Sequence, residues 1–379
     1  MRMRVVACMG SLAAMLAFAD AGPASAQQQA APSPTAQRWT PPRTPWGDPD
    51  ISGNFSNKYE LGTPFERPDE FKGRRLEDFT ADELKVLAQR RQELVLLNYP
   101  HQTDADNPAG NLGGPNTWGD RFEISKGSRP WFVVDPPDGR IPALTAEARK
   151  RGAGGAGRAA SRTTVPGPEA SWDVWRDQQN VSLYDRCITR GLPGSMTPAS
   201  YGNSYHILQT PDYVAIRYEM VHETRIIPLD TRPHASPAIR QYMGNSRARW
   251  EGDTLVVETT NLRNGYRGAN PATLRFTERF TRIAPNVVEW KVTANDPGTW
   301  TAPWTFAIPL TENDNEAIVE YACHAGNRSM SLRLRAGRAA ELEAADAATK
   351  GITVAPREFF FDEDEERIEL ERSKQQQGR

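Results

Sequence analysis

From Ser204 to His324 the chain repeats one pattern: a short run of alternating apolar residues, a turn, and another run. The runs are Ser204–Gln209, Tyr213–Met220, Arg225–Leu229, Ala248–Trp250, Thr254–Asn261, Thr273–Ile283, Val287–Ala294, Trp304–Leu310 and Ala317–His324. Pro211-Asp212, Glu251-Gly252-Asp253, Ala284-Pro285-Asn286 and Asn313-Asp314-Asn315 separate several of them, and these residue types favour tight reversals. A long antiparallel meander must protect its edges, so it closes into a barrel or folds into a sandwich. The expected fold is mainly β: an antiparallel, calycin- or lipocalin-like β-barrel over residues 169–335. An eight-stranded barrel leaves room for one small ligand.

Side chains alternate faces along a strand, so the runs can be sorted inside from outside. In Thr273–Ile283, Leu274, Phe276 and Phe280 share a face, and Glu278 falls in phase with them. A carboxylate on an apolar face either belongs to a site or is neutralised by a cation. In Tyr213–Met220, Val214, Ile216, Tyr218 and Met220 share a face, whereas Arg217 and Glu219 point the other way. His222 stays in phase if the strand continues, or sits at a rim if Val221–Thr224 is the turn. Either place suits an acid or base, because imidazole titrates near neutral pH. Asp230 to His234 follow Pro228 and read as a rim loop. Val288, Trp290 and Val292, then Trp304, Phe306 and Ile308, make with Trp300 an aromatic wall that is either core packing or a cavity lining.

The stretch Tyr218–His234 holds His222 and His234, two of the chain's five histidines, among Glu219, Glu223, Asp230, Arg225 and Arg232. No P-loop, paired CxxC or HExxH accompanies it, and Gly152–Gly157 follows no strand, so it is no dinucleotide fingerprint. Gly194-Ser195 is not part of a nucleophile elbow. His206, His222 and His234 with a carboxylate match no metal signature. No organic cofactor or metal is therefore expected.

Outside the strand run the texture differs. Residues 1–26 have arginines at 2 and 4, an apolar run from Val5 to Phe18 and the small-residue site Ala24-Ser25-Ala26. That is the layout of a secretory signal peptide, which places the mature protein in the periplasm or outside the cell. No other run reaches the ~18 apolar residues of a membrane span. Cleavage near Ala26 removes Cys8 and leaves Cys187 and Cys323, which in an oxidising compartment read as one disulfide; a catalytic thiol beside His324 is the alternative. Residues 27–45 read as a flexible linker. Residues 46–168 read as an N-terminal arm: an extended clip from Trp46 to Phe55, a helix near 80–97 capped by Thr80 and Glu83, the short strand Trp131–Val134, a short helix from Leu144 with Thr145 as cap, and a Gly/Ala-rich loop over 152–168. Residues 336–379 read as a charged helix and an acidic tail. With 46 basic against 48 acidic residues, no basic stripe points to nucleic acid.

Seven blocks together resemble one family. They are TPWGDPDISG (44–53), VDPPDGRIPALT (134–145), YDRCITRGLP (184–193), YEMVHETRIIPLDTRPH (218–234), SRARWEGDTLVVETTN (246–261), ERFTR (278–282) and EYACHAGN (320–327). The chain is similar in these to a family of exported proteins of uncharacterised function from soil and aquatic proteobacteria and acidobacteria. Its two cysteine blocks match Cys187 and Cys323, which fits the disulfide. The resemblance implies export and carries over no reaction or catalytic residue.

The functional expectation is a periplasmic enzyme doing cofactor-independent acid/base chemistry, of lyase, isomerase or hydratase type, on a small, partly hydrophobic or aromatic molecule. His222 is the expected proton-transfer residue with Glu278 or Tyr218 as partner, and Arg225 or His234 stabilises negative charge. Trp290, Trp300, Trp304, Phe276 and Tyr205 are the expected ligand contacts. The alternative is a non-catalytic, lipocalin-like carrier of the cell envelope.

Overall fold

The computed structural model describes residues 39–98, 129–151, 183–184, 186–199, 202–313 and 318–351. The expected signal peptide, most of the expected linker, the Gly/Ala-rich segment over 152–168 and the acidic stretch after 351 lie outside the described residues. Those from Pro41 onward form one compact unit. It is built on one antiparallel sheet of ten strands: β1 (Gly53–Ser56), β2 (Val133–Asp135), β3 (Ser204–Gln209), β4 (Tyr213–Tyr218), β5 (Thr224–Pro228), β6 (Asn245–Glu251), β7 (Thr254–Thr260), β8 (Arg275–Ala284), β9 (Val287–Asn295) and β10 (Trp304–Glu312). The order across the sheet is β5-β4-β3-β1-β10-β9-β8-β7-β6, with β2 beside β10.

Two meanders, β3–β5 and β6–β10, thus carry the sheet, and the clip joins them. Its Gly53–Ser56 pairs with Ile207–Ser204 on one side, and Phe55 and Ser56 pair with Glu312 and Thr311 on the other. Ile51 and Phe55 are fully buried, which anchors this segment in the core. The path is open: no backbone ladder joins the end strands β5 and β6, although the two lie in contact.

The expected alternation holds along β4, β5 and β8, whereas Leu255–Val257 in β7, Val288–Trp290 in β9 and Phe306–Leu310 in β10 are buried without a break. Ala248, Val257, Glu278, Val292 and Phe306 stand abreast on adjoining strands, and all five are buried. Glu278 is the one charged member of that row. The run Ala317–His324 departs from expectation. Its described residues, 318–324, form no strand; their backbone is spent on turns, Cys323 N donating to Tyr321 O and Ala325 N to Ala322 O.

The arm helix spans Ala81–Asn98 (α1), and Thr80 and Glu83 form the reciprocal cap, Glu83 N to Thr80 Oγ1 at 3.3 Å and Thr80 N to Glu83 Oε2 at 2.8 Å. A short helix, Ala146–Lys150 (α2), starts at Thr145, whose hydroxyl accepts from Ala148 N at 3.0 Å. The C-terminal helix (α3) runs Ser329–Thr349 and so begins seven residues before the expected boundary at 336. No helix among the described residues is long and apolar enough to cross a membrane. Cys187 and Cys323 form a disulfide with Cα atoms 5.7 Å apart and 136 positions between them in sequence. In the chain-entropy account such a loop closure is worth roughly 4–5 kcal/mol.

Candidate functional site

Arg225 leaves β5 on the inner face and crosses the open seam. Its Nε and Nη2 donate to Ser246 Oγ on β6 at 3.0 and 2.8 Å, and Nη2 also reaches Thr259 Oγ1 on β7 at 2.6 Å. The guanidinium then meets the Glu278 carboxylate on β8 edge-on, with Nη1 to Oε1 at 3.0 Å and Nη2 to Oε2. Trp290 Nε1 on β9 donates to Glu278 Oε1 at 3.1 Å. Arg225 is 4 % exposed and Glu278 0 %. Burial works against the arginine's charge, but the Glu278 carboxylate and the bonds around it outweigh that and shift its pKa upward on balance. An ion pair this enclosed has its lone pairs and protons spoken for, so Glu278 is no free base. It is the case in which a cation neutralises the in-phase carboxylate, and that cation is Arg225.

His222 stands elsewhere. β4 ends at Tyr218, and Met220–His222 make a single 3₁₀ turn that leads into β5. Val221 and His222 both have left-handed backbones, with φ of 58° and 49°. Non-glycine residues rarely adopt that conformation, a β-branched one least of all, and each costs of order 1–3 kcal/mol. Several contacts hold the turn. Tyr218 N donates to Glu223 O at 2.9 Å, and Glu219 pairs with Ser204 through its backbone N–H at 3.1 Å and its carboxylate at 3.1 Å. Gly202 makes room for Met220: a Cβ there would meet Met220 Sδ at 1.9 Å. Met220 and Val221 pack on Cys187, so the disulfide lies directly under the turn.

This turn presents an exposed imidazole, His222, next to a half-buried carboxyl, Glu223. Thr189 Oγ1 donates to Glu223 Oε2 at 2.5 Å while accepting from Gly191 N at 2.8 Å. Burial raises the Glu223 pKa above the ordinary carboxylate range, and the Thr189 bond and the nearby His222 offset part of the rise. Inward of the pair lies Tyr218, fully buried. Burial pushes its phenol up to about 12, partly countered by Arg225, and Glu278 and Glu223 also act on it. The Tyr218 hydroxyl lies near Arg225, yet no hydrogen bond of good geometry engages it. Tyr205, opposite Tyr218 in the register and 6.1 Å away ring to ring, donates to Asn57 Oδ1 at 3.2 Å. Titratable groups therefore converge at one end of the inner face, with Tyr218 between the sealed ion pair and the His222 turn.

The other expected residues lie apart from that point. His234 is half-buried in the loop after β5, its Nδ1 3.0 Å from Asn245 Oδ1. Trp290, Trp300, Trp304 and Phe276 are core side chains: Trp300 packs on Trp304 at 5.5 Å, and Trp290 on Phe306 at 5.6 Å. Trp304 Nε1 has no hydrogen-bond partner inside that core. Among the described residues no group of three or more His, Cys, Asp or Glu side chains gathers to hold a metal.

Sequence reasoning missed the roles of Thr189, Ser246 and Thr259. The last two carried a readable signal, because each is a hydroxyl in phase with inward apolar neighbours, Ala248 for one and Leu255 and Val257 for the other. It also missed Asp296, 1 % exposed, which accepts from Thr299 Oγ1 at 2.6 Å, Asn270 N at 2.8 Å and Thr273 Oγ1 at 2.8 Å and so ties together the loops at the ends of β8 and β9. No protein-family model matches the chain, and the search of curated proteins found no match.

Proposed function

We propose that this is a periplasmic enzyme of the exported bacterial family it resembles, and that it carries out cofactor-independent acid/base chemistry of lyase, isomerase or hydratase type on a small, partly hydrophobic molecule. In this reading the sheet is a calycin-like barrel whose β5–β6 seam is closed by the Arg225 side chain in place of backbone bonds. The observation that carries the chemistry is the His222–Glu223 pair on a strained, disulfide-backed turn. Strained backbone clusters at functional sites, and a carboxyl pKa raised by burial suits proton transfer.

His222 takes the proton and Glu223 returns it, or the reverse. Tyr218, whose phenol stays protonated across the physiological range, donates to negative charge that develops on the substrate. Arg225 and Glu278 frame this end of the site without touching the reacting atoms. The test is incubation of the mature protein and its His222→Ala variant with a bacterial metabolite extract, read by untargeted mass spectrometry. The expected result is a metabolite converted by the wild type and left intact by the variant. Equal conversion by both removes His222 from the chemistry; a metabolite that copurifies and is never altered favours the carrier.

A further inference from the structure

Among the buried arginines, Arg91, Arg225 and Arg282 each have protein acceptors: Thr63 and main-chain oxygens for Arg91, Glu278 for Arg225, and the Ser52 and Pro285 carbonyls for Arg282. Arg190 differs. It is half-buried, its Nη1 is shielded from solvent, and that nitrogen has no hydrogen-bond partner. Among the described residues no carboxylate pairs with it, and the Tyr184 ring lies 5.7 Å from the guanidinium carbon. Five positions on, Ser195 is 1 % exposed and its hydroxyl is also unpartnered. The loop carrying both is fixed. Ser195 N donates to Gly191 O at 2.8 Å, and Met196 O accepts from Asn57 Nδ2 at 2.7 Å. Asn57 in turn holds the Tyr205 hydroxyl, and the Arg190 charge acts on that same phenol. Arg190 thus faces the end of the sheet where Tyr205 and Tyr218 stand, and its neighbour in the chain is Thr189, the residue that holds Glu223.

Unpaired buried donors cost free energy that a bound acceptor returns. One unmatched positive charge calls for one negative charge, and a guanidinium edge fits a carboxylate in two parallel bonds. We propose that Arg190, with the Ser195 hydroxyl on its loop, anchors the carboxylate of a small acidic substrate. The inference rests on the acid/base reading of the adjoining His222–Glu223 turn and supplies its substrate class. A carboxylate held there orients the rest of the molecule, and proximity of this kind is a large part of what binding contributes to rate.

The test is calorimetric titration of the full mature chain with acetate and benzoate, each against its neutral amide. Arg190→Met, Arg190→Lys and Ser195→Ala are titrated alongside. The expected result is that the acids bind at least about tenfold more tightly than the amides, which is 1.4 kcal/mol. Arg190→Met abolishes that preference, and Arg190→Lys retains part of it. Removing an unpaired cation leaves the unfolding midpoint of Arg190→Met at or above that of the wild type, so lost binding is not lost folding. No preference for acid over amide, no binding of either acid at millimolar concentration, or a preference that survives Arg190→Met overturns the anchor. The two proposals fail separately. An acid preference lost in Arg190→Met, together with turnover indifferent to His222→Ala, keeps the anchor and removes the catalysis. Turnover of neutral metabolites that depends on His222 does the opposite.

Discussion

Replacing Arg225 by Met leaves the Glu278 carboxylate fully buried with two donors, Trp290 Nε1 and, at 3.5 Å, Thr259 Oγ1. Breaking a buried pair by removing one partner costs about 3–5 kcal/mol. Glu278→Leu strands the guanidinium with only two hydroxyls, Ser246 and Thr259, and costs the same order. The double variant Arg225→Met/Glu278→Leu behaves differently. Exchanging a buried pair for apolar side chains is neutral or stabilising by about 1–4 kcal/mol. Against that, Trp290 Nε1 is left unpaired at about 1–3 kcal/mol, whereas Ser246 and Thr259 still bond each other at 3.0 Å. The double variant therefore stays within about 3 kcal/mol of the wild type by these figures, on either side of it. In urea, with a slope near 3 kcal/mol/M at the upper end for small proteins, each single variant lowers the first midpoint by about 1–2 M and the double shifts it by no more than about 1 M in either direction. Single variants that lose under about 1 kcal/mol, or a double variant that loses the sum of both, would refute the claim that this pair closes the seam.

Glu223→Gln tests the turn through pH. A carboxyl whose folded pKa is raised stabilises the fold below its unfolded value, near 4.3, and loses that contribution as pH rises through the folded value. The variant therefore matches the wild type at pH 4 and unfolds at a higher temperature at pH 7, measured by calorimetry at both pH values. Asp296 runs the other way: burial raises its pKa, its four hydrogen bonds lower it by more, and the net shift is down. Its contribution is present at neutral pH and fades as acid protonates it below about 3.9, so Asp296→Asn destabilises by about 1–3 kcal/mol at pH 7 and less near pH 3 in urea titrations. Gly202→Ala drives a methyl into Met220 Sδ and forces a positive φ of 74° on an alanine; a loss of about 1–3 kcal/mol with reduced turnover is expected, checked by thermal melts and by conversion of the substrate.

Much of the sheet could be read from period-two alternation, because strands such as β4, β5 and β8 have one buried face and short turns fix their neighbours. Glu278 stood out for the same reason. β1 did not read as a strand. It has four residues, begins at a glycine with φ of 141°, and pairs with partners about 150 and 255 positions away, which local pattern cannot encode. Ala317–His324 read as a strand because Ala317, Ile318 and Val319 are apolar in series, whereas the bond from Cys323 to Cys187 and the turns around it set the backbone of the last residues. The partner of Glu278 was hidden because β5 meets β7 and β8 only where the two ends of the sheet come together. The left-handed pair Val221–His222 carries no glycine to announce it. Arg190 was invisible for a different reason: what marks it is a missing acceptor, and a sequence records only what is present.

The account turns on which pair moves the proton. Its most direct test is turnover of the converted metabolite by Glu223→Gln and by the Arg225→Met/Glu278→Leu double variant, side by side with the wild type. General acid/base groups contribute about 10²–10⁴-fold, so Glu223→Gln is predicted to lose at least about a hundredfold in kcat while the double variant stays within about tenfold of wild type. A double variant that folds yet loses all turnover, beside a Glu223→Gln that keeps it, would contradict the account and return the chemistry to Glu278.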